Sequence, residues 1–107
     1  MKFIKTIETL YERATRKGQA TLNGRMNYYG YVSELQEKYA IEIEDGVLRM
    51  RHWGTETIKI DLKTKKIIEY YGESVSDRDS LNTILELTGI DGHFKYFPSK
   101  GEFVYEN

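Results

Sequence analysis

The chain reads as an α+β protein: an antiparallel β-sheet meander, an N-terminal helix and a second helix packed on one sheet face, and a C-terminal hairpin. Three observations lead there. Phe3, Ile7, Leu10 and Ala14 recur at helical spacing. Asp45-Gly46 separates two runs in which apolar and polar residues alternate, the pattern of a tight hairpin. Ser76 and Asp79 precede Leu81, Ile84 and Leu85, the pattern of a capped amphipathic helix. With 107 residues, 39% hydrophobic and 31% charged, residues 1–107 suit a single domain around one core.

Each element has its own justification. In the first helix Ile4 and Tyr11 widen the apolar stripe, Arg16 and Lys17 complement the dipole of the last turn, and Gly18 supplies a left-handed cap. Residues 19–32 fit one strand or a short hairpin turning at Asn23-Gly24. Residues 33–38 fit a single helical turn or a loop. Around Asp45-Gly46 the predicted pairs are Glu44 with Val47, Ile43 with Leu48, Glu42 with Arg49 and Ile41 with Met50. Every apolar pair then lies on one face, and a one-residue slip would expose all of them. The meander continues through residues 55–62, with Ile58, Ile60 and Leu62 inward, and through residues 66–71, where either Ile67 or Ile68 faces the core. The second helix presents Leu81, Ile84, Leu85 and Thr88 and stops at Gly89. Residues 93–97 and 102–106 form the last hairpin.

Composition excludes several classes of protein. Cysteine is absent, so there is no disulfide framework, thiolate metal site or cysteine nucleophile. No apolar run approaches the ~20 residues of a membrane span. Charge interrupts the first ten residues where a signal peptide would be apolar, so a cytoplasmic location without membrane association is expected. The net charge of −1 hides an asymmetry: residues 1–18 carry five basic and two acidic side chains, residues 69–107 three basic and eight acidic.

The chemistry-bearing residues form no recognised catalytic pattern. His52 and His93 have no metal-ligand spacing, and His52 is expected to be a partly buried, hydrogen-bonded side chain. Ser74, Ser76 and Ser80 lack a nucleophile elbow, and capping accounts for Ser76. Asp77 and Asp79 suit the dipole of a first helical turn, and Glu42 and Glu44 suit solvated strand positions beside the turn residue Asp45. No glycine-rich phosphate cradle occurs. No metal, cofactor or catalytic residue is therefore expected. What stands out is the outward face of the central hairpin, where parity places Arg49, Arg51 and Trp53, with Thr57 and Lys59 on the next strand. Trp and Arg dominate interface hot spots, and Tyr28, Tyr29, Tyr31, Tyr70 and Tyr71 could extend such a surface.

The HWGTETIKIDLKTKKII meander and the YYGESVSDRDSLNTIL passage, about a third of the chain, resemble small accessory proteins encoded by phages and prophages of Gram-positive bacteria. The resemblance implies an inhibitor acting by stoichiometric binding to a host defence enzyme, in the manner of an anti-CRISPR protein, in the host cytoplasm. It assigns no functional residue. The expected function is thus non-enzymatic protein binding through Arg49, Arg51, Trp53 and Lys59. A nucleic-acid-binding sheet face is the alternative, disfavoured by a pI near 6.1. A homodimer is left open.

Overall fold

The computed structural model describes the backbone of residues 2–28 and 31–107 and the side chains of residues 5–25 and 35–107. The elements are α1 (Lys2–Lys17), β1 (Gln19–Tyr28), β2 (Tyr31–Glu44), β3 (Val47–His52), β4 (Thr55–Asp61), β5 (Lys66–Tyr70), α2 (Val75–Thr88), β6 (His93–Phe97) and β7 (Glu102–Glu106). The first five strands form one antiparallel sheet in sequential order, and β6 and β7 form a separate two-stranded ribbon. This is the α+β architecture that the periodicities predict. No helix among the described residues is long and apolar enough to cross a membrane.

The β2–β3 register matches all four predicted pairs. Asp45 and Gly46 have φ of 52° and 78°, the two positive values of a type I′ turn, whose twist matches that of the flanking strands. Ile41, Leu48, Met50, Ile58 and Ile60 consequently share one face and are fully buried. Ile7, Leu10 and Ala14 of α1 and Leu81, Ile84 and Leu85 of α2 cover that face. Full burial of such a side chain is worth about 1.5–3 kcal/mol, so this face supplies most of the driving force. Ile67 packs on the core, whereas Ile68 is the extra residue of a bulge in β5 and is exposed.

Two local readings differ from the sequence expectation, and a third is decided between its alternatives. Of one strand or a short hairpin turning at Asn23-Gly24, the structure forms the strand: β1 runs straight through these residues, with a register shift between Leu22 and Asn23. Gly24 serves close approach instead, because a Cβ there would meet Lys38 at 3.0 Å and the Trp53 ring at 3.5 Å. Residues 33–38 are neither helix nor loop but part of the 14-residue strand β2, where Leu35, Gln36 and Glu37 pair with β1, a long-range contact that local propensity does not register. The second helix is capped by Ser74, whose hydroxyl accepts the Asp77 N–H, rather than by Ser76. Both serines precede an aspartate by three residues, and tertiary packing selects the first.

The hairpin β6–β7 is fastened to α2 by Asn82. Its side-chain amide receives the Phe94 N–H at 2.6 Å and donates to the Phe94 carbonyl at 3.2 Å. Asn82 thus acts as a strand neighbour, and the buried Phe94 ring packs edge-on against Tyr70. The last turn of α2 contains no basic residue, but Lys65 from the β4–β5 turn brings its Nζ beside Gly89. That charge complements the negative helix end.

Two substitutions test this description. Leu48→Ala is expected to cost about 2–5 kcal/mol through lost burial and a residual cavity; a near-zero change in urea unfolding would reverse the assignment of faces. Gly46→Val should cost roughly 1–3 kcal/mol, because a β-branched residue is strained at positive φ; an unshifted melting midpoint would contradict the type I′ turn.

Candidate functional site

The sheet face opposite the helices carries Arg49, Arg51 and Lys59, as strand parity requires. Arg49 and Lys59 are direct cross-strand neighbours, and Lys59 in turn faces Glu69. Arg51 is already engaged: its Nε donates to Glu37 at 3.0 Å and its Nη1 to Glu42 at 2.9 Å. Glu42 therefore neutralises Arg51, not the Arg49 that stands opposite it in register. Two carboxylates converging on Arg51 outweigh the direct opposition of Arg49. Those hydrogen bonds, to Glu37 first, push the guanidinium further above its ordinary pKa. Among the described residues Arg49 has only a loose contact with Glu56, at 3.9 Å, and it is half exposed. Lys59 pairs with no carboxylate among the described residues.

Trp53 and Thr57 do not join this face. Trp53 lies in a two-residue turn, not in a strand: its φ is 52° and that of Gly54 is 83°, and His52 pairs across the turn with Thr55. The left-handed backbone turns the indole away from Arg51 and onto the His52 ring, with centroids 6.1 Å apart. A bulky residue in this region costs about 1–3 kcal/mol and persists only where its surroundings hold it. Trp53 N donates to the Lys38 carbonyl at 2.8 Å, which anchors the turn to β2. Thr57 is the extra residue of a bulge opposite Met50–Arg51, so parity fails there. It is buried, and its hydroxyl donates to the Met50 carbonyl.

At this end of the sheet the structure assembles a second group of residues. His52 stacks on its cross-strand partner Tyr39, with centroids 4.3 Å apart and planes 4° from parallel. His52 Nδ1 lies 2.8 Å from Asp77 Oδ1, and both side chains are largely buried, at 12% and 7% exposure. Asp77 Oδ2 also accepts the Glu73 N–H at 3.0 Å. Burial raises the Asp77 pKa, but the bonds from His52, Glu73 and Ser74 together hold it below the usual carboxylate value. Burial first, then the Asp77 and Asp79 charges, pushes the Tyr39 hydroxyl well above its ordinary value. His52, Trp53, Thr55, Thr57, Tyr71, Glu73, Ser74 and Asp77 line a cavity of about 240 Å³. The sequence reading anticipated a buried, hydrogen-bonded His52. It missed the Asp77 partner, because 25 residues and two strands separate the two in sequence.

Chemically, a carboxylate-oriented histidine resembles the base of a nucleophilic site. The nearest hydroxyls are otherwise occupied: Ser74 caps α2 and Thr57 bonds to the backbone. Ser76 is exposed and Ser80 donates to the Asp77 carbonyl. His93 is exposed on the last hairpin, 3.8 Å from Glu106. Among the described residues no group of three His, Asp or Glu side chains could hold a metal ion. Tyr70 and Tyr71 are exposed beyond β4 rather than beside Arg49. The side chains of Tyr28, Tyr29 and Tyr31 lie outside the described residues.

The Asp77 interactions make a pH-dependent prediction. A carboxyl whose folded pKa is depressed adds stability above its unfolded pKa of about 3.9, and that stability is lost as pH falls through the folded value. Asp77→Asn should therefore destabilise at neutral pH by roughly 1–3 kcal/mol, the range for hydrogen bonds to charged groups. The gap to wild type should narrow in acid. Urea unfolding at about pH 7 and about pH 3 measures both gaps, and equal gaps would remove the charge from the explanation.

Against known proteins the chain has no match: no family model, no curated protein and no solved structure is similar to it.

Proposed function

We propose that this chain is a non-enzymatic protein-binding module that docks its partner on the uncovered face of the five-stranded sheet. The observation that carries this reading is Lys59 beside Arg49 on that face: among the described residues Lys59 has no carboxylate partner and Arg49 is only loosely paired. Exposed ion pairs add only about 0–1 kcal/mol, so folding gives little reason to gather charge here. Arg51, held by Glu37 and Glu42, contributes a rigid polar platform, and Val47 adds a half-buried apolar contact. The partner that fits brings carboxylates to Arg49 and Lys59.

The same face weighs against nucleic acid. Glu37, Glu42, Glu56 and Glu69 stand among its three cations and would repel a phosphate backbone. An enzymatic reading is weakened because His52 and Asp77 are engaged in joining β3 to α2. The form of binding that the sequence resemblance implies is stoichiometric inhibition of a bacterial defence enzyme such as a CRISPR nuclease. This is the specific function proposed.

Capture from a nuclease-treated bacterial lysate checks it. A protein retained by wild type and by Lys100→Glu should be lost roughly tenfold or more with Arg49→Glu/Lys59→Glu, equivalent to about 1.4 kcal/mol. Capture that disappears on nuclease treatment, or survives in the double variant, would sink the proposal. An equimolar mixture with the captured enzyme should block its activity. Full activity in the saturated complex would remove the inhibitor role and leave binding alone.

A further inference from the structure

The cavity at the end of the sheet has walls and charge that binding on the outer face does not use. Trp53 and Tyr71 supply aromatic surface, Glu73 and Asp77 supply carboxylates, and no lysine or arginine lines it among the described residues. Glu73 accepts the Tyr71 hydroxyl at 2.9 Å but meets no cation among the described residues. That bond raises the Tyr71 pKa, as expected for a phenol beside a charged carboxylate. Both oxygens of the largely buried Asp77 are taken by His52 and the Glu73 N–H, so Glu73 is the lining carboxylate left to meet a cation. The Trp53 indole N–H has no hydrogen-bond partner among the described residues, and its half-exposed ring is held in place by the left-handed turn.

Aromatic faces carry a negative quadrupole and attract cations, and a nearby carboxylate adds to that attraction. A volume of about 240 Å³ falls below the usual range for drug-sized ligands but has room for one long side chain. A planar guanidinium both stacks on an indole and forks onto a carboxylate, which a compact ammonium does not. We infer that this cavity receives an arginine side chain of a protein partner, stacked on Trp53 and paired with Glu73. Tyr71 closes the other wall. The inference shares with the proposed function only the premise that the partner is a protein, and the test below needs no partner, so the two can fail separately.

Trp53 is the only tryptophan and therefore reports directly on the cavity. The full chain is titrated with N-acetyl-arginine amide while Trp53 emission is followed, with the neutral, near-isosteric N-acetyl-citrulline amide as the control. A saturable change with the arginine compound is expected, and binding of the citrulline compound should be roughly tenfold weaker. Glu73→Gln should weaken arginine-amide binding to a similar degree. Its side chain is exposed and, among the described residues, bonds only to exposed Tyr71, so the fold should persist, as circular dichroism can verify. Tyr71→Ala should also weaken binding. An equal response to both amides, no saturable response, or unchanged binding by Glu73→Gln would overturn the inference. N-acetyl-lysine amide binding as tightly as the arginine compound would overturn the guanidinium assignment.

Discussion

Asp45 and Gly46 turn the chain with two consecutive positive φ values, and the β2–β3 register that results determines which residues of the sheet are inside. Side chains alternate with a period of two, so shifting this pair by one residue would send Ile41, Leu48 and Met50 to solvent together. Neighbouring strands inherit the choice: β4 places Ile58 and Ile60 against Met50 and Leu48, and β1 places Ala20 against Ile41. The helices then have one apolar surface to cover. Cooperative burial of that surface reinforces the same register, so local turn chemistry and global packing agree.

The second organising contact lies where the end of β3 meets the start of α2. Ser74 and Asp77 satisfy amides that the helix start leaves open, and Asp77 also reaches His52. His52 lies against Tyr39, so one buried carboxylate links a helix cap to an aromatic stack across two strands. Such a group is destabilising if unpaired and stabilising only because every partner is present. The adjoining cavity is a by-product of this joint. Its left-handed Trp53, and a Glu73 that meets no cation among the described residues, are features the joint itself does not require.

The molecule thus offers two surfaces of opposite character. The open sheet face presents Arg49 and Lys59 within a fence of glutamates, and the end cavity presents carboxylates between aromatic walls. A partner carrying both acidic and basic groups could engage the two together, and charge arranged in this way serves specificity and encounter rate more than raw affinity. The uneven distribution of charge along the sequence becomes meaningful here: Glu73 and Asp77 belong to its acidic last third, while Arg49 and Lys59 belong to the middle.

From the sequence alone came the α+β class, both helices, the central hairpin with its four residue pairs and the final hairpin. These depend on periodicity and on turns whose signals are local. Strand parity also sent Arg49, Arg51 and Lys59 outward and His52 inward. Tertiary structure decided what parity cannot. Bulges at Lys38, Thr57 and Ile68 each shift the alternation by one residue, which buries Thr57 and leaves Ile67, rather than Ile68, packed on the core. A left-handed residue at Trp53 removed it from the arginine face, although its sequence neighbours alternate without a break. The choice of Ser74 over Ser76, and of Arg51 over Arg49 as the partner of Glu42, involves alternatives of nearly equal local energy. Long-range packing breaks such ties, because it adds contacts that no local window contains.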